Sequence, residues 1–168
     1  MKKIAIIYSF NTVKTSKIAE KIKDAFSSED VDMVNAENIT PEVFASYNNL
    51  ILGVPTWFDG ELPNYWDEFI PDLEDLDLKG KKIAIFGLGD QVNYGENFVD
   101  GLGIMATIIE ECGGTVVGYT STEEYRFEAS QAQRGNQFAG LAIDYENQGT
   151  KNKERVAAWV EQLRKEFN

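Results

Sequence analysis

Short apolar runs alternate with amphipathic stretches along almost the whole chain, and this alternation restricts the fold more than any other feature. Residues 3–8 (KIAIIY), 49–54 (NNLILGV without its first Asn) and 81–87 (KKIAIFG) are apolar runs. They lack the every-second-residue pattern of a half-exposed strand, so they read as buried strands. Residues 31–35 form a short second strand. Residues 115–119 begin a fifth, and a polar, acidic, aperiodic stretch at 120–138 interrupts it before 139–143 resumes the apolar run. Between the strands lie helical patterns. Over 16–27, Ile18, Ala19, Ile22, Ala25 and Phe26 share one face and Lys17, Lys21 and Asp24 the other, with Thr15 or Ser16 as cap. Thr40-Pro41-Glu42 opens a short helix. Residues 62–73 are helical but interrupted by Pro71. Residues 96–112 form a long helix with Phe98, Leu102, Met105, Ile108, Ile109 and Cys112 inward, ended by Gly113 as a left-handed cap. Residues 152–167 close the chain with Val156, Trp159, Val160, Leu163 and Phe167 on one face.

Strands alternating with helices predict an α/β fold: a doubly wound, five-stranded parallel sheet with helices on both faces and the fifth strand interrupted by an insertion. The 168 residues suit one domain, 1–168, with the insertion at about 120–138. The first ten residues (MKKIAIIYSF) imitate a signal peptide, but the apolar run is short and no small-residue cleavage site follows, so a strand is the better reading. No segment reaches the ~20 apolar residues of a membrane span. A cytoplasmic monomer is therefore expected.

Composition removes several chemistries. There is no histidine, so a Ser/His or Cys/His nucleophile pair is excluded. The single cysteine, Cys112, lies on an apolar helix face and reads as a small core residue. The net charge of -12 argues against nucleic-acid binding. Eight acids and no base lie between positions 59 and 77: Asp59, Glu61, Asp67, Glu68, Asp72, Glu74, Asp75 and Asp77. They form either a solvated face or a surface that steers a basic protein partner.

In a doubly wound sheet, ligands bind beyond the carboxyl ends of the strands. Three loops share that edge. The first, residues 9–15 (Ser9, Phe10, Asn11, Thr12, Val13, Lys14, Thr15), runs into a helix whose amino end attracts anions. It suits a phosphate monoester, although a capped helix with a polar lead-in looks the same. It has neither the Gly-x-x-x-x-Gly-Lys nor the Gly-x-Gly-x-x-Gly spacing of nucleotide loops. The second, residues 55–60 (Pro55, Thr56, Trp57, Phe58, Asp59, Gly60), delivers two large aromatics onto a turn. They either cap the core or cover a flat ligand. The third contributes Leu88, Gly89, Asp90, Tyr94, Asn97 and Phe98. Trp57 and Tyr94, arriving from neighbouring strands, would sandwich a planar ring.

The segments PTWFDGELPNYWDEF, FGLGDQVNYGENFVDGLGI, GYTSTEEYRFEASQAQRGNQFAGLAID and RVAAWVEQLRKEF resemble long-chain flavodoxins over nearly the whole chain, and the 120–138 excursion corresponds to the insertion that distinguishes that class. The resemblance implies a flavodoxin-like sheet and non-covalently bound flavin mononucleotide (FMN). It implies a low-potential one-electron carrier, shuttling between semiquinone and hydroquinone and replacing ferredoxin. Residues 9–15 would hold the phosphate, and Trp57 and Tyr94 would flank the isoalloxazine. The Phe58-Asp59 peptide would lie near flavin N5, the 88–90 backbone and Asn97 near the pyrimidine edge, and Asp144 near the ribityl chain. Implied partners are basic redox proteins, such as an NADP reductase, photosystem I or other reductases and oxidases, meeting Asp59, Glu61, Asp67 and Glu68.

One stretch departs from the pattern. Relatives place Ser or Thr where Phe10 stands and Gly where Val13 stands. The first change removes a phosphate hydrogen bond. The second either keeps the loop at negative φ or stores strain. Lys14 either adds charge at the phosphate or points to solvent. Competing readings are an NAD(P)H:quinone reductase, which needs room above the flavin, a signalling receiver, which needs an acidic pair where Tyr8-Ser9 stand, and an apoprotein without flavin.

Overall fold

The computed structural model describes residues 1–27 and 29–168. The strands are β1 (Ile4–Tyr8), β2 (Val31–Asn35), β3 (Asn49–Gly53), β4 (Lys82–Leu88), β5 (Thr115–Val117), β6 (Thr120–Ser121), β7 (Gln133–Arg134), β8 (Gln137–Phe138) and β9 (Leu141–Ile143). The helices are α1 (Lys14–Phe26), α2 (Pro41–Ala45), α3 (Asn64–Glu74), α4 (Asp100–Glu111), α5 (Tyr145–Gln148) and α6 (Asn152–Glu166). The sheet is parallel in the order β2-β1-β3-β4-β5. β9 continues the fifth position: β5 pairs with Lys82, Ile83 and Ala84, and β9 pairs with Phe86, Gly87 and Leu88. The interrupted fifth strand is thus two half-strands docked on one partner.

Period-two geometry sends alternate residues to opposite faces, and both faces are apolar. Ile4, Ile6, Ile51, Ala84 and Phe86 meet Ile18, Ile22 and Phe26 of α1 and Trp159 and Val160 of α6. Ala5, Ile7, Leu50, Leu52, Ile83 and Ile85 meet Trp66 and Phe69 of α3 and Leu102, Met105 and Ile109 of α4. The buried indoles each find an acceptor: Trp66 donates to the Gly53 carbonyl at 2.9 Å and Trp159 to that of Gly118 at 2.7 Å.

Three expectations change. α1 starts earlier than position 16: its cap is Val13, with no side-chain hydrogen bond, and Thr15 and Ser16 lie inside the first turn. α3 runs through Pro71 without a break. Pro71 and Asp67 are both exposed, so the carbonyl that lacks its helical donor faces water. The 96–112 stretch is divided. Gly95–Asn97 is a 3₁₀ turn, Val99 sits in the left-handed region (φ 47°, ψ 35°), and the helix begins at Asp100. The spacing Phe98-Leu102-Met105 imitates a helical face, although only the latter two belong to the helix.

The insertion is ordered. β6, β8 and β7 form a small antiparallel sheet, and Tyr125, Phe127 and Phe138 close around Phe98 at centroid distances of 5.8, 5.5 and 5.8 Å. Its backbone passes directly over α4 at Gly103, where a Cβ would lie 2.2 Å from the Gln131 carbonyl carbon. Gly103→Ala must push the two elements apart. The expected cost is about 1–3 kcal/mol, read as a lowered urea midpoint, and an unchanged midpoint would mean that the insertion is not held against the helix.

Candidate functional site

β1, β3 and β4 are adjacent and in register, so the loops that leave their carboxyl ends emerge side by side. Between them runs a groove of about 490 Å³. Thr12, Val13, Lys14 and Thr15 line one end, Pro55, Thr56 and Trp57 the middle, and Leu88, Gly89, Asp90 and Tyr94 the opposite wall. A second cavity of about 360 Å³ shares Thr56, Trp57, Gly89, Asp90 and Tyr94 and adds Phe58 and Asn97. Trp57 lines the groove and stands perpendicular to the rings of Phe58 and Tyr65, at centroid distances of 6.4 and 6.0 Å. Tyr94 is 62% exposed.

The second loop is a tight hairpin. Trp57 and Glu61 exchange both backbone hydrogen bonds, at 2.8 and 2.7 Å, with Phe58, Asp59 and Gly60 at the tip. Phe58 is 76% exposed and takes φ 49°, a conformation that bulky residues avoid. Gly60 takes φ 93°, and a Cβ there would lie 2.6 Å from Asp100 Oδ2 and 2.8 Å from Asn97 Nδ2. Glycine is required at this close approach.

The third loop is built on Asp90. Its Oδ1 accepts from the Val92 and Asn93 backbone N–H groups at 3.0 and 2.9 Å and from Asn147 Nδ2 at 2.8 Å, and its Oδ2 accepts from Asn93 Nδ2 at 2.8 Å. Burial pushes its pKa up, but these hydrogen bonds outweigh burial and hold it below the ordinary aspartate value.

The first loop is closed on itself. Ser9 Oγ donates to Glu37 Oε2 at 2.5 Å, Asn11 Nδ2 donates to the same oxygen at 2.6 Å, and the Thr12 hydroxyl donates to the Ser9 carbonyl at 2.7 Å. Val13 keeps a negative φ of -93°, so the loop carries no left-handed strain there. Lys14 lines the groove with its side chain about half exposed. Its Nζ pairs with Glu146 and lies 5.8 Å from the centroid of the Tyr145 ring.

The structure thus gathers eleven of the anticipated residues in the larger groove and two more, Phe58 and Asn97, in its extension. Ser9, Phe10, Asn11, Asp59 and Gly60 support or border these walls without lining them. Two placements differ more. Phe98 is fully buried in the aromatic cluster of the insertion and presents no surface to a ligand. Asp144 is also fully buried: it accepts from Gln91 N and Nε2 at 3.1 and 2.6 Å and from Asn147 N at 3.0 Å, which ties the third loop to α5. Sequence reasoning missed Tyr145 and Glu146, which line the groove. The available signal was their position, directly after the carboxyl end of the resumed fifth strand. Among the described residues no group of acids and cysteine is placed to hold a metal ion, and no helix is long and apolar enough to cross a membrane.

The flavodoxin family model, described as "Flavodoxin", matches residues 6–159. The chain belongs to the flavodoxin family. It is 44% identical to a flavodoxin of Synechococcus elongatus over 168 residues, covering 99% of each chain, and 41% identical to one of Nostoc sp. over 166 residues, covering 99% of this chain and 98% of the other. Among solved structures it is similar to Fusobacterium nucleatum flavodoxin bound to flavin mononucleotide, with a TM-score of 0.95, 35% identity and full coverage of both chains. In this family member the third loop owes its shape to the Asp90 carboxylate. Because the hydrogen bonds favour the charged form, Asp90 contributes stability above its unfolded pKa of about 3.9, and that contribution is lost as pH falls through the lower folded value. Asn147→Ala is expected to move the Asp90 titration, followed by carboxyl carbon NMR, upward toward the ordinary value. A downward shift would contradict the hydrogen-bonding account.

Proposed function

We propose that the groove holds FMN non-covalently and that the chain is a low-potential electron carrier, an electron-transfer protein and not an enzyme. The observation that carries this reading is that Trp57 and Tyr94 line one groove together with the start of α1. The fit is good. The groove's 490 Å³ lies within the roughly 300–1,000 Å³ typical of cofactor pockets, and the two aromatic rings do not fill it.

When bound, FMN supplies one-electron chemistry. The protein's residues then have separate tasks. Trp57 and Tyr94 cover a planar ligand and exclude water from it. Backbone N–H groups in the first turn of α1, together with Thr15, would meet the phosphate end. The Phe58-Asp59 peptide, held at a strained tip beside Gly60, offers a backbone N–H or a carbonyl to a ring edge. The chain has no histidine, and its net charge is -12, so added negative charge in the groove is opposed by the whole protein.

Members of the family pass electrons to redox partner proteins. We place that contact on the acids between 59 and 77, all eight of which are exposed, and match them to a basic partner such as an NADP reductase. Trp57→Ala and Tyr94→Ala should each weaken FMN binding by about tenfold to a hundredfold in fluorescence titrations, and each should raise the midpoint of the second one-electron step. Potentials that stay put in both variants would remove the sandwich. Electron-transfer rates to a basic reductase should fall with added salt, and salt-independent rates would remove the steering role of the acids.

A further inference from the structure

We propose that Glu37 and Glu146 determine how strongly this site prefers a phosphorylated flavin to an unphosphorylated one, by holding a negative charge at each side of the phosphate end. The inference rests on the flavin reading above. Glu37 is not part of the first loop. It follows β2, and its carboxylate reaches across to take the Ser9 hydroxyl at 2.5 Å and the Asn11 amide at 2.6 Å on one oxygen. Its backbone is pinned as well. Asn35 Oδ1 accepts from Glu37 N and Phe10 N, both at 3.2 Å, so the carboxylate and the loop move together.

On the other side, Glu146 pairs with Lys14, the only cationic side chain lining the groove among the described residues. The loop's side-chain donors are thus satisfied by one carboxylate and its ammonium by another. Thr12 already donates to the Ser9 carbonyl. What remains for an anion is the backbone at the start of α1 and Thr15, which is 3% exposed and lines the groove. A phosphate monoester brings about -1.5 to -2 charges into a space with two carboxylates and one ammonium. Riboflavin lacks the anionic group that these carboxylates would oppose. The phosphate should therefore add less affinity here than an unopposed loop and helix terminus would give.

The test compares FMN and riboflavin binding to the apoprotein by fluorescence quenching. Glu37→Gln retains an acceptor for Ser9 and Asn11 but removes the charge, and Glu146→Gln releases Lys14. Each variant should tighten FMN by about threefold to tenfold and leave riboflavin within about twofold, and the gain should shrink as salt is added because both acids are exposed. If both variants leave the FMN-to-riboflavin ratio unchanged or lower it, the two acids only brace the loop and the inference is wrong, while the flavin reading stands. If the parent chain binds neither flavin, the flavin reading itself falls and takes this inference with it.

Discussion

Asp100 is the buried carboxylate on which the arrangement of the site depends. It is 2% exposed, and a polar group so placed needs hydrogen-bond partners around it. They come from separate parts of the chain. The Asn97 amide donates to Oδ2 at 3.0 Å, and the Gln131 backbone N–H donates to Oδ1 at 2.8 Å. Gly60, at the tip of the second loop, packs against the same Oδ2 so closely that no side chain fits. One residue at the start of α4 therefore joins the second loop, the third loop and the insertion. The left-handed turn at Val99 belongs to this arrangement. It lets Phe98 enter the aromatic cluster while Asp100 opens the helix.

The sheet was legible because burial on both faces leaves a plain record: uninterrupted apolar runs of strand length. The division of the fifth strand was legible for the same reason, since both halves pair with β4 and both are apolar. What periodicity cannot express is a backbone that leaves the helical region while keeping helical spacing, as at Phe98. It also cannot express which carboxylates are consumed internally. Asp144 and Asp90 occupy comparable places at strand ends, yet Asp144 is saturated by Gln91 and Asn147 inside the protein whereas Asp90 shapes a loop that borders the groove. Tyr145 and Glu146 were overlooked because nothing in their composition separates a short helix that lines a groove from one that merely connects.

The first loop carries no left-handed strain at its β-branched residue. Val13 becomes the cap of α1 in right-handed geometry, and the Val13 and Phe10 side chains are exposed. The strain appears instead at Phe58, which holds a positive φ at an exposed tip fixed by the Trp57–Glu61 exchange of hydrogen bonds. Backbone strain of this kind clusters at ligand clamps, and Phe58 lines the extension of the groove.

Charge acts at two ranges in this molecule. The acids of the 59–77 stretch are exposed, so their individual contacts are weak, but their summed field extends to about a Debye length, which is the range the proposed docking of a basic partner would use. The same net charge of -12 bears on the groove, where no histidine stands by to accept a proton. Lys14, the one ammonium on its walls, is already paired with Glu146. On the proposed reading, retention of the ligand falls to the rings of Trp57 and Tyr94 and to backbone dipoles, which do not depend on net charge. A more basic groove would bind an anionic ligand more tightly and would also stabilise an added electron, so that reading ties affinity and potential to one distribution of charge.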